Sequence, residues 1–505
     1  MLFILVKAMK VLLAGYNIDS QVISELKEHS PSRSDVTPET LSASYARISR
    51  DARPASELRA AARAEVDRAR RSNRNIIFKM GHHSVAEHAV FNFDIIGLSR
   101  LAAEELERFR LSSYTEKSQR YITLGDDYVI PEEVRKAGKT EMFCRMIRDQ
   151  NVLYHRLYGR LQPYFYKKHT ELAQNPQKRR LLDGWAKEDA RYVVSLATEG
   201  QLGMTINARN LELLVRRFAS RKLAELKELK TKLFVLAKEV APSIILFTGP
   251  NDFDAKTYEE LEVASRAVLK TEEEIHEEES HKDVSLVSYT NEADEKLIAS
   301  LLHTSSSHSF EACLSRAKKL NPRQKREFMK KTFQHLEFYD TTLREFEYVN
   351  LTFDLLISAS CFAQLKRHRM TTQTVQKYNP ELGVTIPPSV EAIGATPEFL
   401  EIIGRTDQTY LLMKDAMEVG AEYVLTNAHR RRVLLQTNAR EMYHISRLRE
   451  DATAQWDIRA VVGKMIQMAK KVMPLTFLLI GGKDSYPSVY EKIFARPPKF
   501  SPPKM

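Results

Sequence analysis

Cysteine is scarce in this chain: Cys144, Cys313 and Cys361 are the only three in 505 residues, far apart and in no CxxC pair. That excludes a disulfide framework and a zinc knuckle, and it suits a reducing compartment, so a cytoplasmic location is expected. Long apolar runs are also missing. Nothing approaches the roughly 20 uninterrupted apolar residues that span a bilayer, so no membrane partner is expected. The one early run, MLFILVKAMKVLLAGY, is broken by Lys7 and Lys10 and lacks the small-residue cleavage site of a secretory signal. It reads as a buried strand. The last residues, ARPPKFSPPKM, carry four prolines and predict an extended, mobile tail.

What is present is typical of a folded protein of two or three domains, with 43% apolar and 28% charged residues. The 77 Lys+Arg against 66 Asp+Glu leave a net charge of +11, which favours anionic partners such as nucleotides, phosphorylated cofactors or nucleic acid. Nucleic acid is the weakest of these, because clusters such as HRRRV (429–433) have no interleaved aromatics. Much of the charge belongs to solvated helix faces, as in RAAARAEVDRARRSNR.

The chain repeats itself. FNFDIIGLSRLAAEELERFRLSSYTEKSQRY (91–121) and LTFDLLISASCFAQLKRHRMTTQTVQKY (351–378) share one plan: a strand-like run, a helix, an Arg-x-Arg, then a polar loop ending near a tyrosine. Farther on, TINARNLELLVRRF (205–218) matches QTNAREMYHISRLR (436–449). Two matches in the same order mean a tandem duplication. The acidic stretch KTEEEIHEEESHKD (270–283) separates the copies. The expected organisation is an N-terminal extension at 1–39, copy one at 40–265, an acidic linker at 266–283, copy two at 284–485 and a proline-rich tail at 486–505. Each copy should be a sheet with long amphipathic helices, such as 207–240 and 437–472, giving a helix-rich α+β fold.

Two segments carry chemistry. GHHSVAEH (81–88) packs His82, His83, Glu87 and His88 together. Its register fits neither HExxH nor HxxEH, so no metal is expected, and Ser84 with Glu87 reads as a helix-capping box. LKRHRMTTQTVQKYN (365–379) sets Arg367, His368 and Arg369 side by side after an apolar helix. Arginine's planar fork suits a phosphate or the carbonyl of a flat heterocycle, which points to a nucleotide-like ligand.

The order GHxSxxEH, RHR, xRY, ARxxL, NAR and LRxxxxAQWxIR resembles the flavin-dependent thymidylate synthases, over roughly 40–250 and again over 284–480. Neither copy is intact. Copy one keeps GHHSVAEH, Ser118-Gln119-Arg120-Tyr121, Arg191, Asn207 and Arg209, but its triplet is Arg108-Phe109-Arg110, and Phe218 replaces a late arginine. Copy two keeps Gln364, Arg367, His368, Arg369, Asn438, Arg440, Arg449 and AQWDIR, but has Lys377 and Asn379 in the loop and only Glu347 from GHxSxxEH.

The resemblance implies reductive methylation of dUMP at uracil C5, with methylenetetrahydrofolate as carbon donor, FAD as hydride donor and NADPH as reductant. It also implies a site shared between subunits, and the losses here are complementary. Copy two would supply Gln364, Arg367, His368, Arg369 and the catalytic Arg449. Copy one would supply Glu116, Ser118, Gln119, Arg120 and Arg191 for dUMP. The reciprocal set, with Glu105, Arg108, Phe109, Phe218, Lys377, Tyr378 and Asn379, would be crippled. FAD would lie against Arg367, His368 and Arg369, with Asn438, Arg440 and His444 on its far portion, and Ser84, Glu87 and His82 holding flavin or folate. By the same resemblance the chain should form a homodimer. Its alternative is a silent relative that binds nucleotide or flavin for regulation or assembly.

Overall fold

In the computed structural model, which describes residues 8–28, 36–48, 51–120, 122–269 and 282–501, the two strand-like runs become the second strands of two four-stranded sheets. The first sheet contains β1 (Lys10–Tyr16), β2 (Val90–Ser99), β3 (Ser112–Glu116) and β4 (Glu199–Asn207), in the order β1-β2-β4-β3. The second contains β5 (Val284–Tyr289), β6 (Asn350–Ser358), β7 (Thr372–Val375) and β8 (Arg430–Asn438), in the order β5-β6-β8-β7. All neighbouring strands are antiparallel. Alternation sets the faces: Phe91, Phe93 and Ile95 in β2, and Leu351, Phe353 and Leu355 in β6, are buried. Each such side chain contributes about 1.5–3 kcal/mol by leaving water.

Registers identify equivalent positions. Leu98 pairs with Gly200 across β2 and β4, as Ile357 pairs with Arg431 across β6 and β8. Ser99 and Ser358 then cap the helices Arg100–Leu106 and Ala359–Leu365 through their side chains. Each serine hydroxyl donates to a buried carboxylate, Ser99 to Glu225 and Ser358 to Asp457, both at 2.6 Å. Thus the Asp of AQWDIR fixes the start of the helix that leads into Arg367-His368-Arg369.

Several expectations change. Lys10–Tyr16, placed in the extension, is the edge strand of the first sheet and occupies the position of β5 in the second. The polar loops contain the short strands β3 and β7. The helices expected at 207–240 and 437–472 are each broken, into Ala208–Ala219 with Ala224–Val240 and into Ala439–Arg449 with Trp456–Val472. Amphipathic spacing continues across the first break, from Phe218 to Leu223 and Leu226, so periodicity alone does not show it; the second, EDATAQ, has no large apolar side chain between Leu448 and Trp456. Tyr486–Phe494, placed in the tail, is a helix whose Tyr486 and Tyr490 enter the core and donate to the carbonyls of Leu336 and Gln334. Of the acidic linker, 270–281 lie outside the described residues, as do the end of the tail at 502–505 and Tyr121.

The chain forms two units, 1–278 with 387–426, and 279–386 with 427–505. A segment of copy two therefore belongs to the first unit. There the helix Thr396–Lys414 packs on Thr140–Lys168, and the buried Gln150 donates to Thr406 Oγ1 and to the Val424 carbonyl, both at 2.9 Å. Tyr423 donates to Glu225 Oε2 at 2.7 Å, joining Ser99 on the same carboxylate. No described helix is long and apolar enough to cross a membrane.

Candidate active site

In the second unit the helix Ala359–Leu365 ends and the Arg-His-Arg triplet follows in a turn. Arg367 and Arg369 face outward, while His368 turns in and is 3% exposed. Its Nε2 accepts from Arg449 Nε at 3.0 Å, and Arg449 Nη2 donates to the Gln364 carbonyl at 3.1 Å. Gln364 is buried; its amide nitrogen donates to Gln455 Oε1, while no described residue donates to its own Oε1. An uncommitted buried acceptor beside a fixed guanidinium suits a ligand with an N–H edge, such as a uracil.

Burial, and then Arg449, pushes the His368 pKa down to about 3. The unfolded chain takes up a proton near the ordinary 6.5 and the folded chain does not, so stability is full above that value and falls as pH drops towards 3. Between pH 7 and 5.5 the wild type should therefore lose about 1 kcal/mol more unfolding free energy than His368→Gln. Urea titrations at the two pH values measure this, and equal losses would contradict a neutral His368.

Copy one places Phe109 and Phe218 at the positions of His368 and Arg449, with ring centroids 5.5 Å apart and edge to face. A hydrogen-bonded polar pair has been exchanged for an aromatic one, worth about 0.5–1.5 kcal/mol beyond its burial.

The loops show the opposite pattern. In copy one Glu116 ends β3 and accepts from Arg100 at 2.9 Å. Ser118 Oγ accepts from the Arg120 backbone N–H, and Arg120 Nε donates to Glu188 Oε2 at 2.6 Å. Arg191 is buried close by in charge terms, its pKa pulled down by burial and pushed up by Glu188. A narrow cleft in this unit is lined by Arg100, Ala103, Glu116, Gln119, Gly200 and Gln201. In copy two Phe362 stands for Ala103, Tyr378 for Gln119 and Arg431 for Gly200. The Arg431 guanidinium lies 5.1 Å from the Phe362 ring centroid and 4.2 Å from that of the buried Tyr378, and its Nε donates to the Gln376 carbonyl. These side chains fill the place of the cleft. Asn379, at the position of Arg120, caps the turn Pro380–Leu382 by accepting from the Glu381 N–H.

Sequence reasoning missed Arg100, Glu188, Gly200, Arg431 and Glu422. The last matches Arg191: in Ala190-Arg191-Tyr192-Val193 and Ala421-Glu422-Tyr423-Val424 the 3-10 turns are Arg191–Val193 and Ala421–Val424, after which Ser195 and Thr426 pair with each other in an isolated antiparallel bridge. Copy two thus carries a carboxylate where copy one carries a guanidinium. Aligning the copies column by column would have revealed it.

The remaining site residues have structural partners. Asn207 and Asn438 cap their helices, accepting from the N–H groups of Asn210 and Glu441. Arg209 pairs with Glu87, and Arg440 with Glu347, so the NAR arginine ties its helix to the GHxSxxEH segment in both copies. The capping box expected at Ser84 and Glu87 does not form. The segment is a 3-10 helix, His83–His88, preceded by His82 without a side-chain cap, and Glu87 is engaged by Arg209. His444 is exposed, with its ring 5.8 Å from that of His368. Donor atoms of His368, Glu441 and His444 lie within 4.8 Å of one another. A cation there would compete with Arg449, which already occupies the lone pair of His368 Nε2.

The family model described as thymidylate synthase complementing protein matches residues 33–243 and 285–475. The flavin-dependent thymidylate synthase of Clostridium tetani (strain Massachusetts / E88) is 32% identical over 180 residues, 35% of this chain and 70% of that protein. A Chlamydia muridarum protein described as a UPF0159 protein is 24% identical over 422 residues, 79% of this chain and 78% of its own. Among solved structures, thymidylate synthase X of Helicobacter pylori with FAD and dUMP aligns at 20% identity over 49% of this chain and 100% of that one, with a TM-score of 0.28.

Proposed function

Because the chain belongs to the family of thymidylate synthase complementing proteins, whose model it matches once in each half, we propose that it is a flavin-dependent thymidylate synthase with one competent set of site residues drawn from its two copies. The observation that carries this reading is the sorting of losses. His368 and Arg449 persist where the loop is filled by Tyr378 and Arg431, and Ser118, Arg120 and Arg191 persist where Phe109 and Phe218 have closed the other part. Decay without selection would not be expected to retain one nearly complete set.

In this reading Ser118, Arg120 and Arg191 hold the dUMP phosphate, with Glu116 and Gln119 beside the sugar and base. Gln364 Oε1 accepts from the uracil N–H edge, and Arg449 stabilises the negative charge that moves onto the ring as C5 becomes nucleophilic. Arg367, His368 and Arg369 hold FAD, with Asn438, Arg440, His444, Ser84 and Glu87 as its outer contacts. The buried neutral imidazole between two exposed cations fits an anionic, planar cofactor. Bound FAD would supply the hydride, NADPH the reducing equivalents and methylenetetrahydrofolate the carbon. No described cysteine is placed to act as a nucleophile: all three are buried, and none lies at a motif position. The assembly we propose is a cytoplasmic homodimer of such chains.

The visible spectrum of the purified protein, with and without added FAD and dUMP, tests this. About one flavin per chain is expected, its bands perturbed by dUMP and bleached by NADPH. A colourless protein that takes up no FAD would overturn the reading and favour a silent relative.

A further inference from the structure

Glu441 has no role in the reading above, yet it completes a chain of contacts ending at Arg449. It is the third residue of the helix Ala439–Arg449 and 8% exposed, with its N–H on Asn438 Oδ1. Its Oε1 lies 3.3 Å from His368 Nδ1, a buried atom that makes no hydrogen bond with good geometry among the described residues, so this carboxylate is the acceptor at hand for an Nδ1 proton. On the far side of the imidazole, Arg449 Nε donates to Nε2 at 3.0 Å. A guanidinium can only donate, so Nε2 must carry the lone pair and the single proton of the neutral ring sits on Nδ1, facing Glu441. The other tautomer would set two N–H groups against each other and push the guanidinium away.

Copy one provides an internal comparison. At the position of Glu441 it has Asn210, whose side chain turns back to donate to Asn207 Oδ1 at 2.8 Å. Where the imidazole and the arginine are absent, the carboxylate is absent too, and its replacement has become part of a helix cap. His368, Arg449 and Glu441 are therefore kept or lost together within one chain.

We propose that Glu441 is a positioning residue, holding His368 in the tautomer that fixes the guanidinium of Arg449. This rests on the reading of Arg449 as the group that meets the uracil ring. The same carboxylate-to-imidazole arrangement fixes tautomers wherever the opposite nitrogen must accept or bind.

The test uses full-length protein labelled with 15N in its histidine rings, with the His368 signals identified by their loss in His368→Gln. Wild type should show a protonated Nδ1 and an unprotonated Nε2. Glu441→Gln retains an acceptor oxygen and should keep both the tautomer and kcat within about threefold. Glu441→Leu should shift the proton to Nε2 or average the two forms, and lower kcat roughly ten- to a hundredfold with little change in the dUMP KM. Glu441→Asn, the residue copy one carries, should behave like Glu441→Leu and serves if that variant does not fold. A protonated Nε2 in wild type, or an unchanged ring in Glu441→Asn, would overturn the proposal. If the tautomer results hold but wild type forms no thymidylate, the functional reading fails while the positioning of Arg449 stands.

Discussion

Arg449→Ala is expected to lower kcat for thymidylate formation by roughly a thousandfold while flavin and dUMP still bind. The expectation follows from how firmly the guanidinium is held. Two of its donors are fixed by His368 Nε2 and the Gln364 carbonyl, so little reorganisation is needed when charge develops on the uracil ring. In a site shielded from water a fixed cation is worth far more than a mobile surface one. Phe218→Leu provides the matched control at the equivalent position of copy one. Phe218 is buried against Phe109, so its shortening should cost stability but leave turnover per folded chain within about twofold. Single-turnover assays on pre-reduced enzyme separate the chemical step from binding. An Arg449→Ala enzyme retaining a tenth of wild-type turnover would remove this residue from the chemistry.

The sequence made the duplicated plan, the sheet-forming runs and the paired losses legible, because each depends on local pattern or on residue identity at a motif position. β2 and β6 announce themselves by alternation, and Phe109 and Phe218 by replacing charged residues. What stayed hidden depends on partners distant in the chain. Glu441 and Asn210 look like ordinary first-turn residues until His368 is seen opposite one and a helix cap opposite the other. Gly200 and Arg431 align at the same offset as Arg191 and Glu422, but what the contrast does shows only in the packing, where Arg431 lies over Phe362 and Tyr378. Asn438 and Arg440 were read as ligand contacts from resemblance; geometry adds a helix cap and an ion pair with Glu347. The helix break at 220–223 escaped because apolar spacing persists from Phe218 to Leu223, whereas that at 450–455 is marked by six residues without a large apolar side chain. The membership of 387–426 in the first unit is a property of packing that no linear boundary signal encodes.

Loss of the copy-one loop arginine should weaken dUMP binding roughly ten- to a hundredfold, the equivalent of one charge-assisted contact to a phosphate. Arg120 also neutralises Glu188, whose side chain is 5% exposed, through a 2.6 Å contact. Removing the guanidinium alone would strip the buried Glu188 of its Arg120 contact and leave it with Arg191 nearby, a loss of up to about 3–5 kcal/mol that would confuse a binding defect with misfolding. The informative variant is therefore Arg120→Ala combined with Glu188→Gln, compared with Glu188→Gln alone by calorimetric titration of dUMP into the oxidised flavoprotein. Copy two should respond differently. Asn379 is committed to capping the turn Pro380–Leu382, and Glu422 would repel a phosphate, so Asn379→Ala and Glu422→Ala should leave dUMP affinity within about twofold. Equal losses from changes in both copies would mean that two sites bind nucleotide. The aromatic pair in copy one and the filled loop in copy two would then be repairs to packing, with no bearing on which set is competent.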